Sequence, residues 1–128
     1  MAHARASIGT TNYATLIKTG HHEFKADKGP ELGGKDSGPA PYDLLTSALA
    51  ACTAITLSIY AQHKQWPLEA AHVDVHFVRE GDKSHIDRVL ALEGKLDDAQ
   101  RARMADIAKR TPVTLTLKGG IEIRTKLA

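Results

Sequence analysis

From Pro41 to about Gln65, apolar residues recur three and four positions apart: Leu45, Ala48, Leu49, Cys52, Ile55, Thr56, Ile59 and Tyr60. That is the period of an α-helix. Pro41 suits the first helical position, where a missing N–H costs nothing, and Asp43 favours the positive end of the helix dipole. The other side carries Ala50, Thr53, Leu57 and Ala61. A helix apolar nearly all round needs cover on most sides. A small chain can hardly surround it alone, and a second copy is the simplest cover. Trp66-Pro67 ends the helix, because proline disfavours helical geometry in the residue before it.

Ahead of the helix the pattern is that of strands. Residues 4–10 and 13–18 are rich in β-branched and small side chains, and residues 22–27 alternate polar with apolar. Thr19-Gly20 marks a turn. Residues 28–41 hold four glycines and three prolines and form the one long loop, a kind of segment that often carries function. Beyond the helix, Val73, Val75 and Phe77 alternate with His72, Asp74 and His76, which predicts a strand with one wet face. Residues 80–83 make a turn, and residues 86–92 return as a strand closed by Gly94. Asp97-Asp-Ala-Gln100 resembles a capping box opening a second helix that Pro112 limits. Residues 113–117 and 121–123, joined by Lys118-Gly-Gly120, predict a terminal hairpin. The expected order is βββ–α–ββ–α–ββ, one α+β domain over residues 1–128 with antiparallel sheets around a long buried helix.

Composition narrows the function classes. Of 128 residues, 42% are hydrophobic and 25% charged, which excludes disordered and fibrous classes. A net charge of +2 and 5% aromatics give no footprint for nucleic acid or an anionic membrane. Residues 1–8 lack a signal-peptide pattern, and residues 44–61 carry too many small and hydroxyl residues to suggest a bilayer span. A cytoplasmic protein is expected.

Cys52 is the only cysteine, so an intrachain disulfide and a paired-cysteine metal site are both excluded. A single cysteine inside a helix reads either as an inert buried thiol or as a reactive one that a nearby cation activates. No metal is expected. His72 and His76 share a strand face but lie roughly 13 Å apart, and His21 and His22 would point to opposite faces. The glycine loop lacks the spacings of nucleotide-binding loops.

The central block as a whole has a known look. It runs Glu31-Leu-Gly-Gly-Lys-Asp-Ser-Gly-Pro-Ala-Pro-Tyr-Asp-Leu-Leu-Thr-Ser-Ala-Leu-Ala-Ala-Cys-Thr-Ala-Ile-Thr-Leu57, then Tyr60-Ala61 and Lys64-Gln-Trp-Pro-Leu68. It resembles the OsmC/Ohr family of osmotically inducible and organic-hydroperoxide-resistance proteins. Thr111-Pro-Val113 after the second helix resembles the family's second motif, normally Cys-Pro-Val. The resemblance covers essentially the whole chain. It implies an OsmC-like fold, an intertwined homodimer with the long helices packed centrally, and two equivalent sites at the subunit interface.

It also implies a chemistry. Family members reduce organic hydroperoxides with a thiolate that becomes a sulfenic acid, assisted by an arginine that a glutamate holds. A second cysteine closes a disulfide, which a dithiol reduces. By position Cys52 matches the peroxidatic cysteine. Thr111 stands at the resolving position, Tyr42 stands at the glutamate position with Asp43 beside it, and Arg5 is the only arginine before Arg79. Two functions follow. One is a one-cysteine thiol peroxidase that binds no cofactor, takes a small-molecule hydroperoxide and relies on an external thiol or dithiol. The other is a catalytically degenerate relative that binds a small apolar or electrophilic ligand in the interface pocket. Tyr42, Asp43 and Thr111 are the candidate site-lining residues in either case.

Overall fold

A computed structural model describes residues 1–128. The chain divides into two compact units, Met1–Leu45 and Thr46–Ala128. In the first, β1 (Arg5–Ile8), β2 (Thr15–Thr19) and β3 (His22–Ala26) form an antiparallel sheet in that order. Thr19 pairs with His22 across a two-residue turn, and Ile17 pairs with Phe24. These strands fall where the β-branched and alternating stretches predict them.

The loop after β3 is organised around one buried carboxylate. Asp27 is 3% exposed. Its Oδ1 accepts from the amides of Tyr13 (3.2 Å) and Lys28 (2.7 Å), and its Oδ2 from the amides of Lys35 (3.4 Å) and Ser37 (3.1 Å). The Ser37 hydroxyl adds a bond of 2.6 Å. The chain closes so tightly that a Cβ at Gly34 would collide with the Lys28 carbonyl, and one at Gly38 with the Lys25 carbonyl. Only glycine fits at those two positions.

The Ser37 hydroxyl and the Lys28 amide hold the Asp27 carboxyl well below the usual carboxylate range, outweighing the opposing effect of burial. A group depressed in the folded state adds stability above its unfolded pKa, near 4, and loses it as pH falls toward the folded value. Thermal melts should therefore place the Asp27→Asn variant below the parent at neutral pH. The gap should narrow as the pH drops below about 4. A gap that stays constant across that range would remove the carboxylate's charge from the account.

α1 (Pro41–Lys64) begins at the end of the first unit and runs on through the second. In the second unit, β4 (Leu68–Glu80) and β5 (Lys83–Gly94) make one long antiparallel hairpin. Val73 lies opposite Leu90, Val75 opposite Arg88 and Phe77 opposite Ile86, and these positions are partly buried. His72, Asp74 and His76 lie exposed on the other face, as the alternation predicts. α2 (Asp98–Ala108) opens with the expected capping box. The Asp97 side chain accepts from the Gln100 amide at 2.7 Å, and the Gln100 side chain accepts from the Asp97 amide at 2.9 Å. Leu57, Ala61, Met104 and Ala108 form the buried core, with Tyr60, Trp66, Leu68 and Leu90 among the residues packed on it.

The C-terminal hairpin is not formed. Residues expected as its first strand lie in α3 (Pro112–Gly119), and residues 120–128 are neither helix nor strand. The order is βββ–α–ββ–α–α, still an α+β fold. Thr111 and Pro112 decide the outcome. Thr111 takes the extended N-cap conformation and Pro112 is pre-set for the first helical turn. Burial of Thr114, with Val113 partly buried, then outweighs the strand preference of Thr-Leu-Thr-Leu, a preference that depends heavily on context.

α1 also buries only one stripe within the chain. Leu49, Thr53, Leu57 and Ala61, four residues apart, are covered, while Ile55 and Ile59 are 59% and 49% exposed. By length and composition alone, α1 could cross a membrane. Its buried stripe instead packs into the core just described.

Candidate functional site

The covered stripe of α1 brings Thr53 against the inner face of the β4–β5 hairpin. On β5 the inward positions read Ile86, Arg88, Leu90 and Leu92, so one arginine shares an otherwise apolar row. Its guanidinium is the centre of a polar cluster. Nη1 donates to Thr53 Oγ1 at 3.1 Å and to Thr114 Oγ1 at 2.8 Å, and Nη2 donates to the Ala108 carbonyl at 2.7 Å. Thr53 in turn donates to the Leu49 carbonyl at 2.7 Å. Thr111, fully buried, shares a 2.6 Å bond with the Thr114 hydroxyl. Every buried side-chain nitrogen and oxygen in the chain has a partner. The acceptors around Arg88 are neutral, so its charge has no carboxylate against it. Burial pushes its pKa down, but an arginine stays protonated in a protein.

Cys52 immediately precedes Thr53 on α1 and is a half-buried free thiol. Of the two positions that sequence reasoning linked, Thr111 belongs to the cluster by its hydroxyl, and Cys52 is the chain neighbour of one of its members, Thr53. Tyr42 and Asp43 lie in the first turn of α1, within the first unit. Tyr42 is 49% exposed, and the Asp43 carboxylate accepts from the Ala40 amide at 3.0 Å, closing the helix start. That unit also holds an apolar groove of about 590 Å³, lined by residues including Ile8, Tyr13, Ile17, Leu32 and Leu44.

Sequence reasoning missed Arg88, Thr53 and Thr114. The signal was present, since Arg88 falls in phase with Ile86, Leu90 and Leu92 on the dry side of its strand. A search for a cation confined to the segment ahead of Cys52 passes over it.

Residues 34–126 match the family model described as OsmC-like protein. The chain belongs to the OsmC family. An OsmC-like protein from Mycoplasma pneumoniae has the same fold, with a TM-score of 0.80 at 20% identity over 93% of this chain and 88% of that one. An organic hydroperoxide resistance protein OsmC from Legionella pneumophila, also described as a predicted redox protein, gives a TM-score of 0.66 at 21% identity, covering 93% and 90% of the two chains. A putative organic hydroperoxide resistance protein from Vibrio cholerae, with captopril bound in one of its active sites, gives 0.70 at 23%, covering 95% and 87%. At these identities the likeness is one of fold. No curated protein matches the chain. Thr111 of this OsmC-family chain is fully buried.

Proposed function

We propose that this OsmC-family protein is a one-cysteine thiol peroxidase, a soluble cytoplasmic homodimer that reduces organic hydroperoxides through Cys52. The observation that carries the reading is the position of Cys52. It is the chain's only thiol, half-buried in the family's first motif, one residue from a hydroxyl held by a guanidinium. The Cys52 thiolate attacks the terminal peroxide oxygen. An S–O bond forms, the O–O bond breaks, and the departing alkoxide takes a proton to leave as an alcohol. Cys52 is then a sulfenic acid.

Thr111 offers a hydroxyl where a resolving thiol would be needed, and a hydroxyl cannot form a disulfide. Resolution therefore falls to an external thiol. It condenses with the sulfenic acid, releasing water, and a second external thiol frees Cys52 as the mixed disulfide is exchanged. Without such a reductant, excess peroxide drives Cys52 on to sulfinic acid.

Consumption of cumene hydroperoxide in the presence of a dithiol tests the reading. The parent should turn over, and the Cys52→Ser variant should fall to the uncatalysed rate. Intact mass after limited peroxide should show one and then two oxygens on the parent, and none at residue 52 in the variant. If Met104 gains oxygen while Cys52 does not, the thiol is inert. The apolar groove of the first unit favours the second reading in that event, a protein that binds a small apolar ligand without turnover.

A further inference from the structure

We propose that residues 121–127 leave their own subunit and lie along the open edge of β4 in a second copy, as an antiparallel third strand of that sheet. The inference rests on the homodimer of the preceding reading. Its ground is a segment with the pattern of a strand and no strand beside it. Ile121, Ile123, Thr125 and Leu127 alternate with Glu122, Arg124 and Lys126. Glu122 and Arg124, two residues apart, bond each other at 3.1 Å, which puts them on one side of an extended chain. The apolar row is bare, with Ile121 69% and Ile123 85% exposed.

Two sheets give the chain four strand edges. At β3 the Asp27 amide donates to the Pro39 carbonyl at 3.2 Å and Gly38 lies against the Lys25 carbonyl, so the loop occupies that edge. At β5 the Arg101 side chain takes the Leu92 carbonyl at 3.0 Å, and Arg88 interrupts the apolar row. β1 offers only four residues. An antiparallel register on it that sets Ile121 on Ile8 and Ile123 on Ala6 also sets Arg124 on Arg5, and like charges directly opposite destabilise. β4 is left. Glu80 and Lys83 close a two-residue turn, so Val73 and Val75 direct their backbone N–H and C=O away from β5. No hydrogen bond within the chain meets those groups. Such an edge is a template for another strand.

One antiparallel register on β4 satisfies both faces. With Ile123 opposite Val75, Ile121 meets Phe77 and Thr125 meets Val73 on the half-buried face. On the exposed face Arg124 meets Asp74, and Glu122 meets His76. A slip of two residues one way sets Glu122 against Asp74, and the other way sets Ile121 against Arg79. The chain does not lay its own segment on this edge. Two-fold pairing lets each copy give one strand and receive one.

Asp74→Cys with Arg124→Cys, in a Cys52→Ser background, tests the register. Residues facing each other at this kind of position in an antiparallel ladder have Cα atoms about 4.5 Å apart, within disulfide range. Mild oxidation should turn the greater part of the double variant into a covalent dimer on a non-reducing gel, while each single variant stays a monomer there. Ile123→Asp is read beside it. A substitution at so exposed a side chain is silent unless another copy covers it, and the exchange expects the dimer Kd in sedimentation to rise at least about tenfold. An intrachain disulfide, seen as a gel monomer lighter by two hydrogens, overturns the proposal by returning the segment to its own sheet. So does the absence of any disulfide, or an unchanged Kd in Ile123→Asp. A wild-type monomer defeats the homodimer reading and the exchange together, whereas a dimer without the cross-link defeats the exchange alone. Neither readout uses a peroxide, so an inert Cys52 leaves both standing.

Discussion

After treatment with one equivalent of an organic hydroperoxide, the Thr111→Cys variant should lose two hydrogens and gain no oxygen. A dithiol should restore the original mass. The parent under the same treatment should gain oxygen. The expectation rests on where Thr111 sits. It is fully buried, its hydroxyl bonds Thr114, and Thr114 shares one Arg88 nitrogen with Thr53, the neighbour of Cys52. A thiol there occupies the position from which a resolving cysteine acts elsewhere in the family. Attack on the Cys52 sulfenic acid then competes with further oxidation, and the intramolecular reaction should win. The exchange removes one hydroxyl bond from a cluster in which Thr114 keeps Arg88, a cost of about 1 kcal/mol. A disulfide requires Cα atoms about 4.4–6.8 Å apart with suitable direction. Continued over-oxidation at Cys52, with the same variant in a Cys52→Ser background as control, would show that the two sulfurs do not meet.

Ile55→Glu should convert the protein from dimer to monomer in sedimentation at micromolar concentration. Ala48, Ala51, Ile55 and Ile59 run along α1 at helical spacing and are exposed in the single chain. The small residues of that stripe allow a second helix to approach closely, and the isoleucines supply the apolar area. A carboxylate placed in such an interface without a partner costs several kcal/mol, enough to raise a dimer Kd by at least about 100-fold. The fully buried core of the second unit is small, so the freed subunit should also melt earlier than the dimer. A wild-type monomer would remove the interface outright. A dimer unchanged by Ile55→Glu would move it away from this face of α1.

The elements most legible in the sequence are those where local preference and packing agree. Pro41, the three-and-four spacing and Trp66-Pro67 bound α1 to within a residue of its observed span. The alternation around Val75 gives the β4 faces, and Asp97 with Gln100 gives the start of α2. Residues 113–117 failed because their strand preference conflicts with an N-cap and a proline that start a helix, and packing settled the contest. Cys52 and Thr111 are singled out by the motif alone, whereas the polar cluster beside them is not legible in it. That cluster centres on Arg88, a β5 residue 36 positions beyond Cys52 in the sequence, and only folding brings it to Thr53.

The Asp27 cradle has a consequence for what the glycine-rich segment can bind. Successive backbone amides converging on one point are the usual means by which a loop captures a phosphate or another external anion. Here the amides of Lys28, Lys35 and Ser37 already converge on a carboxylate supplied by the chain itself. The loop is self-liganded. Its resident anion is covalently tethered and cannot diffuse away, so an incoming phosphate would have to displace a group at very high effective concentration. The segment serves this OsmC-family chain as a preset lead-in to α1, with its anion-binding capacity already spent.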